Sequence, residues 1–173
     1  MIDEAYADFA DDDAISLVAE HPNVIVTRSF SKGYGLAGLR LGYLVANATV
    51  VQGLTKVKDS YNCDTLSLVG GVAALEDQAY RNETREKVRS TRVRLAKAMG
   101  ELGYHVPPSQ ANFVWCPGGP PAEPIYQSLK RQNILVRLMT YPGHAPGLRI
   151  TVGTDPEIDR FLTAITPILR DGV

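Results

Sequence analysis

The chain is poor in every feature that marks a membrane, metal or nucleic-acid protein. Cysteine occurs only twice, as Cys63 and Cys116, with no metal-ligand spacing. Two buried thiols are the expected state, with a single disulfide as the alternative. His21, His105 and His144 are scattered and form no ligand cluster. Charge is nearly balanced at −1, which gives no electrostatic case for nucleic acid or an anionic membrane. No apolar run approaches membrane-spanning length. The opening residues lack a basic and then apolar region, so no secretory leader and a cytoplasmic location are expected. Neither an internal repeat nor a low-complexity segment is present. What remains is ordinary globular composition, 45% hydrophobic and 21% charged over 173 residues, enough for one domain or two small units.

Local patterns predict an α/β chain. Asp11-Asp12-Asp13 opens a short helix that ends before Pro22, because acidic residues suit a helix N-terminus. Strands are predicted over 23–29 and 39–45, separated by a loop carrying Gly33, Gly35 and Gly38. Asn47 offers a cap for a helix reaching about Lys58. Helices over 65–80 and 82–102 follow, the second charged and closed by Gly103. Its basic residues, from Arg81 through Lys97, lie among glutamates and read as a solvated face. The rest alternates: strand 112–116, helix 122–132, strands 134–137 and 148–152, helix 155–169. A domain junction is expected near residue 80, inside the long helix, with a compact α/β unit after it.

The chemistry concentrates in Ser29-Phe30-Ser31-Lys32, followed by a glycine loop and Leu36-Ala37-Gly38-Leu39-Arg40-Leu41-Gly42-Tyr43. A lysine just past an apolar strand is costly unless it is used, since burial penalises an ammonium. Such an amine can attack an aldehyde to form a Schiff base. Two serines and the planar guanidinium of Arg40 are the donors that a phosphate monoester needs beside it. The glycines lead into a strand rather than a helix, which excludes a dinucleotide fingerprint. Arg149 stands in an apolar strand pattern, Leu148-Arg149-Ile150-Thr151-Val152, where an arginine calls for an anion.

This segment closely resembles the cofactor-lysine region of the fold-type-I aminotransferases, and among them the histidinol-phosphate aminotransferases. Asp3-Glu4-Ala5-Tyr6, Ser109-Gln110-Ala111-Asn112-Phe113 and Gly147-Leu148-Arg149 match in the same order. Family members are about twice this long, so the resemblance implies their C-terminal half: 1–80 as the end of the large cofactor domain and 81–173 as the small α/β domain. It implies pyridoxal 5'-phosphate as cofactor and Lys32 as both Schiff-base lysine and proton shuttle. Ser29, Ser31 and Arg40 would hold the cofactor phosphate. Asp3 would lie under the pyridine nitrogen, and Tyr6 would bond the ring oxygen. Arg149 would meet a substrate carboxylate, Arg137 a substrate phosphate, and Asn112 would orient the carboxylate. The implied reaction interconverts histidinol phosphate plus 2-oxoglutarate with imidazole-acetol phosphate plus glutamate, in histidine biosynthesis. A threonine-phosphate decarboxylase or an aromatic aminotransferase shares the lysine segment. A truncated, inactive folding or dimerisation piece is the reading of another class. A homodimer is implied as well, with Tyr61-Asn62 resembling an interface segment.

Overall fold

The computed structural model describes residues 1–170. The chain folds as two compact units, Met1–Arg85 and Glu86–Val173.

The first unit is built on a three-stranded sheet of order β1-β2-β3. Strand β1 (Ile2–Asp3) runs parallel to β2 (Ile25–Ser29), with Asp3 opposite Thr27. Strand β3 (Gly42–Ala46) runs antiparallel to β2. The expected helix at Asp11 is reduced to one turn, α1 (Leu17–Glu20). The acidic run does other work: Asp13 accepts a hydrogen bond from the Ile15 amide (3.0 Å) and sits 3.1 Å from the Arg28 guanidinium. Residues 39 and 40 are not strand. Leu39 ends a 3-10 turn (Ala37–Leu39) and Arg40 takes a left-handed backbone, φ 53°, which delays β3 to Gly42.

Two helices complete this unit. Helix α2 (Ala48–Val57) starts where the Asn47 side chain accepts from the Thr49 amide, 3.0 Å. Helix α3 (Thr65–Glu76) is capped by Asp64, which accepts from the Ser67 amide at 2.9 Å. It packs close to the lysine loop: a Cβ on Gly71 would meet the Leu41 side chain at 2.5 Å. Helix α4 (Gln78–Glu101) follows after one break at Asp77, whose carboxylate caps the Tyr80 amide at 3.1 Å. The two units divide within α4. Its basic residues are not a solvated face throughout, as their spacing suggested. Arg81 pairs with Asp8, Arg85 donates to the Ala10 carbonyl, Arg92 to the Ala111 carbonyl, and Arg94 pairs with Asp155 and Asp159.

The second unit has its own core. Strands β4 (Phe113–Cys116), β5 (Arg137–Met139) and β6 (Gly147–Thr151) form an antiparallel sheet of order β4-β6-β5. Val114, Cys116, Leu148 and Ile150 alternate onto one face and pack against Leu95 and Met99 of α4, Ile125 and Leu129 of α5 (Ala122–Arg131), and Phe161 and Ile165 of α6 (Asp155–Arg170). Helix α6 opens on a one-sided cap: the Glu157 carboxylate reaches back and accepts from the Thr154 amide at 2.7 Å and from its hydroxyl at 2.8 Å. Both cysteines are free; Cys116 is buried, and Cys63 only half so.

Candidate active site

On the first unit, parallel pairing of β1 and β2 puts their carboxyl ends at one edge of the sheet. That edge is where open α/β sheets bind ligands. Asp3 ends β1 and is exposed; its carboxylate accepts from the Ala5 amide at 3.0 Å and fixes the turn that follows. Tyr6 comes next in that turn. Ser29 ends β2, and its hydroxyl accepts from the Ser31 amide at 3.1 Å. Lys32 follows, half-buried, with its ammonium nitrogen 5.6 Å from the centre of the Tyr6 ring. The fold thus gathers Asp3, Tyr6, Ser29, Ser31 and Lys32 at one edge.

Backbone bonds hold the lysine segment. The Phe30 amide donates to the Leu41 carbonyl (3.1 Å), Gly35 to Lys32 (3.1 Å) and Leu36 to Phe30 (3.0 Å). Arg40 closes the loop. Its guanidinium is exposed and donates to the Ala37 carbonyl at 2.9 Å, so a local bond holds it within its own turn.

Two ion pairs beneath this edge escaped the sequence reading. Arg28 on β2 donates through Nε to Glu4 Oε2 at 2.8 Å, and its Nη2 lies 2.7 Å from the same oxygen. Glu4 also accepts from the Ala14 amide at 2.6 Å. Burial alone would lower the Arg28 guanidinium, but Glu4 and then Asp13 outweigh it and raise it above its ordinary value. The second pair joins buried Asp8 to Arg81 at 2.8 Å. There too burial opposes the charge, and the bond to Asp8 prevails and raises the Arg81 guanidinium. Partners 24 and 73 residues apart leave no local signal.

On the second unit, β-register brings two predicted residues side by side. Arg149 of β6 is directly opposite Arg137 of β5 on one flank and Trp115 of β4 on the other. Directly opposed residues share a face, and this is the face away from the core. The Arg149 guanidinium lies 3.9 Å from the centre of the Phe113 ring, which fixes its plane. Arg137 opens β5 and is exposed. Two like charges directly opposed in a sheet are unfavourable unless an anion lies between or over them. Asn112 precedes β4, and its carbonyl accepts from the Val152 amide at 2.8 Å. A Cβ on Gly147 would lie 2.5 Å from the Trp115 ring, so glycine is what lets the indole lie across the strand.

The donor set on the first unit suits pyridoxal phosphate. It offers an amine for an aldehyde, hydroxyls for a phosphate, a carboxylate for a pyridine nitrogen and a phenol for a ring oxygen. No helix of the described residues is long and apolar enough to cross a membrane.

Comparison with known proteins agrees. The family model described as aminotransferase class I and II matches residues 1–165. The chain is 48% identical over 167 residues to the histidinol-phosphate aminotransferase of Rhodopirellula baltica, covering 95% of this chain and 46% of that protein. It is 49% identical to histidinol-phosphate aminotransferase 1 of a Nostoc species over 98% of this chain and 48% of that one. The crystal structure of the Sinorhizobium meliloti histidinol-phosphate aminotransferase in complex with pyridoxal-5'-phosphate superposes with a TM-score of 0.87 at 31% identity, over 98% of this chain and 48% of that chain. The chain therefore spans about half the length of the curated relatives it matches.

Proposed function

Because the chain belongs to the class I and II aminotransferases, we propose that it carries the lysine-bearing half of a pyridoxal-phosphate-dependent histidinol-phosphate aminotransferase. The reaction exchanges an amino group between histidinol phosphate and 2-oxoglutarate, giving imidazole-acetol phosphate and glutamate. The observation that carries this reading is Lys32 standing at the carboxyl edge of β1 and β2 with Asp3, Tyr6, Ser29 and Ser31. Residues 1–80 then belong to the cofactor-binding large domain and 81–173 to the small domain.

When bound, pyridoxal phosphate supplies an aldehyde carbon and a ring that accepts electrons from the substrate α-carbon. The chain's own residues do the rest. Lys32 would hold the cofactor through its aldehyde, and its Nζ, beside the substrate α-carbon, would be the base that carries the α-proton. Asp3 holds a negative charge where the pyridine nitrogen must stay protonated. The Tyr6 phenol donates to the ring oxygen. Ser29, Ser31 and Arg40 bind the cofactor phosphate, Arg40 after giving up its bond to Ala37. Arg149, its plane set by Phe113, takes a substrate carboxylate; Arg137 takes the phosphate of histidinol phosphate; Asn112 orients the carboxylate. A cytoplasmic homodimer completes the reading. The dimer part of it is supported by exposed apolar residues on α3, Leu66, Val69 and Val72.

The test is to mix the chain with pyridoxal phosphate, reduce with borohydride and map the adduct by peptide mass spectrometry. One adduct per chain at Lys32, lost in Lys32→Ala, is expected. Adducts spread over many lysines would refute the assignment.

A further inference from the structure

The loop that carries Lys32 rests on a buried carboxylate. Asp8 is 6% exposed and packs against Gly33 so closely that a Cβ there would lie 2.4 Å from Asp8 Oδ2 and 2.5 Å from its Cβ. Any side chain at position 33 would push the loop off Asp8. Arg81 secures this carboxylate from α4 at 2.8 Å, and its guanidinium lies 5.4 Å from the centre of the Tyr34 ring. Tyr34 in turn packs on buried Phe30, 5.0 Å between ring centres. Residues on both sides of Lys32 are therefore tied down, Gly33 and Tyr34 through Asp8 and Arg81, and Phe30 through its burial.

A cavity of about 290 Å³ borders the loop, lined among others by Gly33, Tyr34, Gly70 and Arg81. Packing alone therefore leaves space beside the loop into which it could shift. The ion pair is the polar tie that removes this freedom, and it does so one residue from the amine.

We propose that Asp8, clamped by Arg81, is a positioning residue for Lys32. It fixes the turn from Gly33 to Leu36 and so sets the direction from which the amine meets an aldehyde. Neither side chain touches the reacting atoms in this account. The proposal rests on the reading of Lys32 as the cofactor lysine.

Two readouts on the chain itself separate the possibilities. The first is the share of borohydride-trapped pyridoxal-phosphate adducts that falls on Lys32. The second is hydrogen exchange at the Gly35 and Leu36 amides, with the β2 and β3 amides as internal reference. Asp8→Asn and Arg81→Gln should each lower the Lys32 share at least fivefold. They should speed loop exchange at least tenfold and leave the sheet amides unchanged. Gly33→Ala, acting from the loop side, should reproduce both effects. Arg81→Lys, which keeps the charge, should recover at least half of the Lys32 share. Unchanged loop exchange in Asp8→Asn and Arg81→Gln would overturn the proposal, as would equal loss of protection in loop and sheet, or no recovery in Arg81→Lys. If the wild-type chain shows no preference for Lys32, the cofactor reading fails, and the exchange arm still decides whether the pair positions the loop.

Discussion

Replacing Glu4 with glutamine removes a charge without leaving a cavity, which isolates what the Arg28 pair contributes. The side chains of Glu4 and Arg28 are each 9% exposed. Breaking a buried pair from one side strands the other charge, at about 3–5 kcal/mol. Here Asp13 stays 3.1 Å from the guanidinium, but it is 45% exposed and screened by water. Part of the penalty is therefore offset, and a cost of about 2–3 kcal/mol is expected. That corresponds to a 30- to 150-fold change in the unfolding constant, to within roughly a factor of two. The loss should fall on the first unit, since every buried residue of the large apolar core belongs to the second. Urea unfolding can resolve this because the only tryptophan, Trp115, lies in the second unit. Far-UV circular dichroism should show the early part of the transition moving to lower urea, while Trp115 fluorescence shifts less. The double variant Glu4→Met with Arg28→Met should recover most of the loss, because an apolar pair of similar volume replaces a buried ion pair at little cost. A loss below about 0.5 kcal/mol in Glu4→Gln would refute the reasoning, since that is the range of exposed pairs.

On the proposed function, Arg137→Ala should weaken binding of histidinol phosphate about 10- to 100-fold, the range for a lost charge-assisted bond to phosphate. Trp115, beside Arg149 on the same sheet face, gives the fluorescence titration that measures it. Acid should destabilise the chain in a defined window. The Thr91 hydroxyl and then Arg94 hold Asp155 below its ordinary 3.8, and the Thr154 amide holds Glu157 below 4.5. Carboxylates depressed in the folded state stabilise fully above their unfolded values and lose that contribution as pH falls through the folded ones. Melting temperature should therefore stay flat from pH 7 to about 5 and fall below about 4, less steeply in Asp155→Asn. Burial pushes the Cys116 thiol up to about 12, so it stays protonated and shielded. An aromatic disulfide reagent at pH 8 should titrate one thiol, Cys63, in the native chain and two in urea.

Local chemistry was legible where neighbours in sequence decide the structure. The Asn47 cap, the Gly103 stop (φ 89°) and the strand before the lysine all follow from residues within one turn of themselves. The lysine loop was legible through its resemblance and its serines. Where tertiary partners decide, the sequence misled. Asp13 left the expected helix where Arg28 of β2 takes up its carboxylate. Arg40 left the expected strand because the Leu39 carbonyl is used by the Ser67 hydroxyl at 3.1 Å, and the turn demands a positive φ. The sequence placed Arg137 at the end of a strand over 134–137, whereas it begins β5. That shift is what sets it opposite Arg149, a relation that no spacing within either strand could reveal.

The two units are stabilised by different physics, and this bears on where the chemistry lies. In the second, buried Leu95, Met99, Ile125, Leu129, Leu148 and Ile165 from four elements interlock in one apolar cluster. In the first, the buried apolar residues are few, chiefly Phe9, Val26, Phe30 and Leu41. There α3 shows Leu66, Leu68, Val69 and Val72 to its surroundings. The first unit compensates with polar ties, Glu4–Arg28–Asp13 and Asp8–Arg81. Each tie ends within four residues of Asp3, Tyr6 or Lys32 along the chain or rests directly on the lysine loop. An apolar core fixes volume but tolerates small shifts, whereas a buried ion pair with defined partners fixes direction. A lysine that must meet one carbon from one side needs direction. The ties under the candidate site are largely buried, whereas the Arg94 pairs of the second unit are exposed, and that placement is what such a demand would produce.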